Sequence, residues 1–600
     1  MRPRLALAVA SVLFAVLLAP ASASAHAVLE STSPDRGATL ASEPGQVVFR
    51  FGESVEVNFG AVRVYDAKSN RVDVGDTFHP GGTGSQVAVR LKPGLPKGTY
   101  VATYRVISAD SHPVSGGLVF SIGKTGSAAA PTVSDLLSKA NAGPFTETAF
   151  GAARGATYLA TALLLGGLAF LLAVWLPALR IAADAQERWR DASGAFAGRL
   201  RGMLLGGAGL GVASGAAGIV LQGATAGGTS AWSALDPSVI SEVLGTRFGH
   251  IWGLRIVAFA LLGGASWLLL RAVPEPGAAP RLQSVALGAD GLAAPRLPRT
   301  GILLAAIPAA LVAITPALAG HAGVTSPTAL LIPLDVIHVL SMSVWLGGLV
   351  ALLFVLPAAT RLIEAPDRTR LLAAALVRFS PIALACVAAL LITGTIQALE
   401  HMNAWGQLLH TGYGRAVVIK VVLLFGLIGV GAVNRQRVVP GLRTLAASAA
   451  APGAAGHLLR RTLRAEVALV IVVLGVTGAL VSYPPPDSLA AGPFDGTTSL
   501  GPLRMEATVD PARVGANELH LYILKASDGT PFAGTKQIDV TLALPAKHIG
   551  PIAATAHAAG PGHYVIDTLQ LVPGGDWQLK VTDRVSEFDQ YESSLKVPVH

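Results

Sequence analysis

The sequence is poor in cysteine and in charged residues. It holds one cysteine in 600 residues, Cys386, which lies in an apolar run, so disulfides within the chain and thiolate metal sites are excluded. Charged residues make up 14% of the chain, whereas soluble proteins carry about 25%. Because 52% of the residues are hydrophobic, most of the middle of the chain is expected to lie outside water.

Residues 1–25 have the pattern of a secretory signal peptide. The stretch "MRPRLALAVASVLFAVLLAPASASA" begins with two arginines, continues as an apolar core and ends in Ala-Ser-Ala, an A-x-A cleavage signature. Cleavage after Ala25 would make His26 the first residue of the mature protein. An N-terminal histidine offers its amine and its ring nitrogen together, a combination that suits Cu(II) in a tetragonal site.

Residues 26–123 alternate apolar with polar side chains between Gly/Pro turns, as in "QVVFRFGESVEVNFGAVRVYDA", which predicts a β-sandwich. In "ISADSHPVSGG", Asp110 and His112 are two residues apart. Side chains at i and i+2 of an extended segment share one face. Together with His26 they would supply three nitrogens and one oxygen to a metal ion; without further ligands, the pair is ordinary surface polarity.

Eight apolar runs are long enough to span a membrane, which takes about 20 residues per helix. Residues 151–484 are therefore predicted to form a membrane domain of eight helices, reached through a linker at 124–150. The runs lie near Ala153–Pro177, Met203–Gly223, Ile251–Leu270, Ile302–Ala319, Leu334–Pro357, Pro381–Leu399, Ala416–Val433 and Val467–Val481.

Arginine is concentrated in the odd-numbered loops between these runs. By the positive-inside rule those loops are cytoplasmic, so both termini, with their soluble domains, are expected outside the cell membrane. The net charge of +9 then reflects membrane topology, and nucleic-acid binding is not expected. The arginines include Arg180, Arg188, Arg190, Arg199 and Arg201 in the first loop, Arg361, Arg368, Arg370 and Arg378 in the fifth, and Arg435, Arg437, Arg443, Arg460, Arg461 and Arg464 in the seventh.

Two motifs recur within the membrane region. "TRFGHIWGLR" opens the third run and "TGYGRAVVIK" opens the seventh, and both fit T-x-aromatic-G-x5-basic. "LGGL" occurs in the first run and again in the fifth. Four helices separate the members of each pair, which indicates two parallel four-helix repeats, an arrangement that some transporters use.

The fifth run, "PLDVIHVLSMSVWLGGL", carries polar residues at helical spacing: Asp335, His338, Met342 and Trp345 fall on one stripe. Ionisable groups inside a membrane are costly and indicate function by default, although histidines near lipid headgroups are also simply tolerated. Arg255 and Lys420 are expected either to pair with Glu400 or to extend outward. Further candidates near the outer helix ends are His250, His321, His401, Met402 and His410.

After a linker at 485–500, residues 501–600 return to alternating strands such as "LRMEATVDPARVGANELHLYILKASDG", which predicts a second β-sandwich. Four histidines within this domain have spacings that do not force them together. We interpret them as scattered over the surface rather than as a second metal site. They are His520, His548, His557 and His563.

The N-terminal domain resembles the CopC family of copper-binding domains through "HAVLESTSPDRGATL", "FRFGESV" and "GTYVATYRVISADSHPVSGGLVFSI". The resemblance implies Cu(II) binding by His26, Asp110 and His112, with Glu53 as a weak or outer-sphere ligand. Many members of that family carry a methionine-rich loop for Cu(I). Residues 26–123 contain no methionine, so a Cu(I) site is not expected there.

The helical part resembles the CopD family through "HVLSMSVWLGGL" and "TGYGRAVVIKVVLL", and the C-terminal domain is similar to YtkA-like domains. The resemblance implies a copper-binding membrane protein for copper uptake, homeostasis or resistance, and not an enzyme. Copper would pass from the outer domain to a membrane path near His338, Met342, His401, Met402, His250 and His321. Softer Met/His surroundings there would suit Cu(I), and an extracytoplasmic chaperone could deliver the metal.

Other functions remain open at this point. The sequence has no Cys-Pro-Cys motif, P-loop or DKTG phosphorylation sequence, which excludes an ATP-driven copper pump. A membrane haem or electron-transfer protein needs two histidines at matching depth on facing helices, which His338 with His401 or His250 could provide. A copper-sensing or assembly scaffold without transport is the third interpretation.

Overall fold

The structure is a computed structural model that describes residues 27, 29–35, 38–58, 61–109, 111–123, 136, 142–182, 187–271, 299–324, 327–402, 406–481, 494–510, 512–527 and 529–599, without the side chains of 187, 188, 299 and 410. The predicted signal peptide, His26 and Asp110 lie outside these residues. The chain divides into two compact units. One holds the two β-domains together with Gly223–Glu242, the other holds most of the helical region, and each is described by itself.

The N-terminal domain is a β-sandwich, as predicted. Its two four-stranded sheets have the orders β1-β3-β6-β5 and β2-β8-β7-β4. Alternation along β3 turns Phe49 and Phe51 inward, where both rings contact Tyr104 at centroid distances of 5.0 and 5.2 Å. The strands are β1 (Leu29–Ser33), β2 (Thr39–Leu40), β3 (Gln46–Phe51), β4 (Val62–Asp66), β5 (Asp73–Phe78), β6 (Gln86–Leu91), β7 (Gly98–Ile107) and β8 (Pro113–Ile122).

The described residues contain eight helices that are long and apolar enough to cross a membrane, which confirms the predicted number. They are α1 (Gly143–Ala182), α2 (Trp189–Gly227), α3 (Arg247–Leu270), α4 (Thr300–Ala319), α5 (Thr328–Thr360), α6 (Ala365–Glu400), α7 (Gly412–Ala447) and α8 (Gly453–Leu480). Helix α1 begins within the segment predicted as a linker.

The helices extend beyond the apolar runs that predicted them. Arg368, Arg370 and Arg378, predicted to lie in a loop, belong to α6, and the arginines at 460, 461 and 464 belong to α8. Arginine and alanine are strong helix formers, whereas hydropathy detects only the apolar part of a helix. The runs therefore predicted the number of helices but not their ends.

The two LGGL motifs contact each other where α1 crosses α5. A Cβ on Gly166 would overlap with the carbonyl oxygen of Ser343, and a Cβ on Gly347 would overlap with that of Ala162. In both helices a π-helical turn follows the motif, at Leu171–Trp175 in α1 and at Ala351–Val355 in α5. The repeated glycines thus let the two backbones approach closely.

The C-terminal domain is a second β-sandwich, with strand orders β14-β15-β11-β10-β9 and β13-β12-β16-β17. It begins at Phe494, inside the segment predicted as a linker. The first strand, β9 ("FDGTTSL"), resembles a linker in sequence because most of its residues are small or polar. The strands are β9 (Phe494–Leu500), β10 (Leu503–Asp510), β11 (Gly515–Lys525), β12 (Gln537–Leu544), β13 (Ile549–Thr555), β14 (His557–Gly560), β15 (His563–Leu571), β16 (Gly575–Arg584) and β17 (Gln590–Val599).

Candidate metal centres

Three segments of the N-terminal sandwich meet at one end: the start of β1, the loop after β3 and the turn between β7 and β8. Leu29 in β1 pairs with Phe51 at the end of β3. The N–H of Glu56 donates to the carbonyl of Ile107, the last residue of β7, at 2.9 Å. Glu53 lies between Phe51 and Glu56 in the chain, and its Oε1 atom is buried. This end of the sandwich therefore places a carboxylate close to the β7–β8 turn.

The β7–β8 turn carries His112. The N–H and the hydroxyl of Ser108 both donate to the carbonyl of His112, at 2.9 and 3.0 Å, and close the turn. Ser111 has a φ of 74°, in the left-handed region, so the prediction of an extended segment before His112 is wrong. The turn leaves His112 half-buried, with its Nδ1 atom buried.

His26 and Asp110 complete the predicted Cu(II) site but lie outside the described residues. Ala27, which directly follows His26, is 3% exposed and belongs to the core of the sandwich. The chain therefore enters the sandwich just before β1. Among the described residues alone, no three His, Cys, Asp or Glu side chains are grouped to hold a metal ion, so the four-ligand site stays a prediction.

A second group of candidate ligands lies between α5 and α6. The Nδ1 atom of His338 is 2.8 Å from the hydroxyl oxygen of Thr393. That hydroxyl donates its own hydrogen to the carbonyl of Ala389, at 2.7 Å, so it accepts from His338. This pattern assigns the proton to Nδ1 and leaves Nε2 with a free lone pair, the form in which imidazole binds a metal.

Small and polar neighbours shape this site. A Cβ on Gly394 would lie 3.3 Å from Cε1 of His338, so the glycine makes room for the ring. Asp335, one turn before His338, accepts from Nε2 of Gln397 at 3.0 Å. Met342 is one turn beyond His338 on the same face of α5 and packs against the core of the helical unit. Two residues of the predicted stripe, Asp335 and His338, thus contact polar residues of α6, whereas Met342 packs against apolar ones.

Two basic residues lie within electrostatic reach of Asp335: Lys420 of α7 and Arg255 of α3. Arg255 is 4% exposed, and its guanidinium donates to the hydroxyl and the carbonyl of Thr315 at 3.1 and 2.7 Å. It also lies over the ring of Trp252, 4.8 Å from the centroid. Arg255 is therefore held inside the helical unit by Thr315 and Trp252. This differs from both predicted arrangements, pairing with Glu400 and extension outward.

A third group lies at the Glu400 end of α6. The rings of His321 and His401 are edge-to-face with centroids 5.0 Å apart, and Tyr413 lies 6.0 Å from His401. Met402 directly follows His401. His250 is exposed in the first turn of α3. The side chain of His410 lies outside the described part.

His401, which directly follows α6, and the His338 site lie at different depths along the axis of α6. Thr393, which holds His338, precedes His401 by eight residues, about 12 Å of helix at 1.5 Å per residue. The pair therefore does not lie at the matching depth that bis-histidine haem ligation requires. This geometry argues against the haem interpretation for His338 with His401.

Comparison with known proteins identifies the domains. Residues 29–123 match the family model described as CopC domain. Residues 145–288 match that of copper resistance protein D-like, N-terminal domain, and residues 373–480 match that of copper resistance protein D. The chain is a CopC–CopD fusion. It is thus a copper-related membrane protein, and eight of its described helices are long and apolar enough to cross a membrane.

Individual proteins and solved structures are similar to all or part of this chain. The fusion is 29% identical to "Copper transport protein CutJ" of Bacillus subtilis (strain 168) over 592 residues, 96% of both chains. "Copper resistance protein C" of Escherichia coli is 26% identical over 107 residues, 17% of this chain and 84% of that protein. The solved structure of CopC from Methylosinus trichosporium OB3b is 29% identical and covers 16% of this chain and 93% of that chain, with a TM-score of 0.15.

The two halves of the CopD domain differ at equivalent positions. When the LGGL motif of α1 is aligned with that of α5, Thr157 falls on His338. The hydroxyl of Thr157 lies 3.0 Å from that of Ser214 on α2, just as His338 contacts Thr393 on α6. At this position the first half thus has a hydroxyl pair, whereas the second half has an imidazole that can bind a metal.

Several polar contacts of the CopD domain were not predicted from the sequence. Thr393 and Gln397 are neutral, but their i, i+4 spacing places them on one face of α6, which is the only signal they give. Glu466 of α8 accepts from Nδ2 of Asn434 at 3.2 Å, and Thr462 donates to Oδ1 of the same Asn434 at 2.6 Å. These contacts form a second polar group inside the helical unit.

Proposed function

We propose that this CopC–CopD fusion captures Cu(II) outside the cell and mediates copper uptake across the cell membrane. In the CopC domain, the proposed ligands are the N-terminal amine and ring of His26 with Asp110 and His112, and Glu53 is a weak or outer-sphere ligand. Imidazole and amine nitrogens with one carboxylate suit a tetragonal Cu(II) site. The convergence of β1, the β3 loop and the β7–β8 turn supports this assignment.

The observation that carries the membrane part of the proposal is the Ala389–Thr393–His338 chain of hydrogen bonds. It presents the Nε2 lone pair of a histidine within a membrane-spanning segment. A histidine kept only for packing does not need a fixed tautomer, whereas a metal ligand does. Met342, on the same face of α5, adds a soft thioether that suits Cu(I).

The arginine-rich connections and the relatives support an orientation and a path. With the arginine-rich ends of the helices in the cytoplasm, both soluble domains and the Glu400 end of α6 lie on the outer side of the membrane. Copper would pass first by His321, His401 and Met402 and then reach His338 and Met342. The similarity to a copper transport protein over 96% of the chain supports transport, and the outer capture domain favours uptake over export.

Copper uptake by cells that express the full chain tests the membrane path. His338→Ala should reduce the initial uptake rate close to that of cells without the protein. His457→Ala is the matched control because His457 is exposed on α8 and far in sequence from the proposed path. Normal uptake by His338→Ala would refute the path. Copper retained by the protein with no flux in the wild type would instead support the sensing or scaffold interpretation.

Cu(II) binding by the full chain tests the capture site. One alanine inserted before His26, after processing of the signal peptide, moves the free amine away from the ring and breaks the chelate. The type 2 EPR signal of the CopC site should weaken sharply, and so should that of His112→Ala. Unchanged binding after the insertion would exclude the amine as a ligand, and unchanged binding in both variants would exclude the site.

A further inference from the structure

Two histidines of the C-terminal domain form a buried pair. His520 on β11 and His563 on β15 are 5% and 7% exposed. In the register of the two strands, Tyr522 lies opposite His563 and His520 lies opposite Val565, so both histidines are on one face of the sheet. Their Nδ1 and Nε2 atoms are 3.0 Å apart. The interpretation of these two residues as scattered surface histidines is therefore wrong.

A carboxylate lies beside the pair. Nε2 of His520 is 3.2 Å from a carboxylate oxygen of Glu518. Nδ1 of His520 and Nε2 of His563 face each other, so one of these two nitrogens carries a proton and the other accepts it. A carboxylate beside a histidine is a common outer partner of a metal ligand.

The separation of the two nitrogens fits two neighbouring ligands of one metal ion. With metal–nitrogen bonds of about 2.0 Å, the 3.0 Å separation corresponds to an N–metal–N angle of about 97°. That value is close to the right angle of a tetragonal Cu(II) site. A linear two-coordinate Cu(I) ion would instead need the nitrogens about 4 Å apart.

We propose that the C-terminal domain binds one Cu(II) ion between Nδ1 of His520 and Nε2 of His563. On binding, the proton between the two facing nitrogens moves to the other nitrogen of its own ring, so both histidines ligate as neutral imidazoles. Water supplies the remaining positions from the side of β14, where His557 is exposed. The choice of copper rests on the proposed function of the chain, whereas the two-imidazole geometry does not.

An aromatic ring holds one member of the pair in place. The ring of Tyr522 stacks on that of His563 with centroids 4.3 Å apart and planes 8° apart, which fixes the orientation of the imidazole.

Cu(II) titration of the full chain tests the site in a His112→Ala background, in which the capture site is removed. We expect one further copper equivalent with an EPR spectrum that shows two imidazole nitrogens. His563→Gln, which keeps a hydrogen-bond donor near His520, should bind this copper at least 100-fold more weakly. His548→Ala is the control, because His548 lies outside this sheet, between β12 and β13.

A second variant separates loss of ligation from loss of folding. Glu518→Gln keeps the ligands but removes the negative charge 3.2 Å from Nε2 of His520, and it should lower the copper affinity by about 10- to 100-fold. If both variants bind copper as tightly as the His548→Ala control, the pair is only an internal hydrogen bond and the proposal fails. The uptake assay with His338→Ala has a separate readout, so failure of the proposed function and failure of this site are distinguishable.

Discussion

Replacing Thr393 with valine removes the hydroxyl that holds His338 and changes the shape of the side chain little. The hydroxyl accepts from Nδ1 of His338 at 2.8 Å. Leaving such a donor without its partner costs about 1–3 kcal/mol, and each 1.4 kcal/mol corresponds to about a tenfold change in an equilibrium constant. We therefore expect the copper concentration that half-saturates uptake to rise about tenfold.

Thr395→Val is the matched control for this prediction. Thr395 is exposed on the same helix, and its hydroxyl donates to the carbonyl of Leu391 at 2.7 Å, which is the same backbone contact that Thr393 makes with Ala389. The control thus loses the same local hydrogen bond without touching His338. We expect its uptake to change less than about twofold.

The assay is the initial rate of copper uptake as a function of copper concentration in cells with equal amounts of each variant. Thr393→Ser, which restores the hydroxyl, should restore the wild-type concentration dependence. Equal effects of the valine substitutions at 393 and 395 would show that the hydrogen bond to His338 has no role in uptake, and the reasoning from the fixed tautomer would be refuted.

Two further predictions concern stability. Gly347→Ala should lower the thermal stability of the detergent-solubilised protein by about 1–3 kcal/mol of unfolding free energy, since the new methyl group overlaps with the carbonyl of Ala162. Gly253→Ala is the control, because a Cβ at this position meets no atom within 4 Å, and it should leave the melting temperature unchanged. Equal melting temperatures of the two variants would contradict the close approach of α1 and α5 at Gly347. Burial raises the pKa of Asp583, which accepts from Thr535, to about 6. The folded state thus binds this proton more tightly than the unfolded state, so hydrogen-exchange protection of β16 should fall as pH rises from 4 to 6, by about 1–2 kcal/mol. Asp583→Asn should remove this dependence, and a dependence that persists in the variant would exclude Asp583 as its source.

The elements of the fold were more predictable than the contacts between them. The eight apolar runs predicted eight helices, because crossing a bilayer imposes a minimum length of apolar sequence that few other structures share. The alternation of apolar and polar side chains in residues 26–123 predicted a β-sandwich, because each strand of a sandwich has one buried and one exposed face. Helix ends were not predicted, since arginine and alanine continue a helix as readily as leucine does.

Some residues of the candidate sites were predictable from the sequence, whereas the contacts between them were not. His112 and His338 were identified from the sequence, because histidine beside an acid or inside an apolar run is conspicuous. Thr393 was not, since a neutral hydroxyl within a membrane helix barely alters its hydropathy. The pairing of His520 with His563 depends on strand register, and a shift of one residue would turn one of the two side chains to the opposite face.

The sequence by itself determined the domain order, the number of spanning helices and the copper-related chemistry, because these depend on composition and on short motifs. Only the tertiary structure decided that the two LGGL glycines meet, that Thr393 selects the tautomer of His338, and that His520 and His563 share one face of a sheet. Each of these contacts joins residues that are far apart in the chain. Their proximity depends on helix packing and strand register, which arise from the whole set of side chains packed together and not from any local pattern.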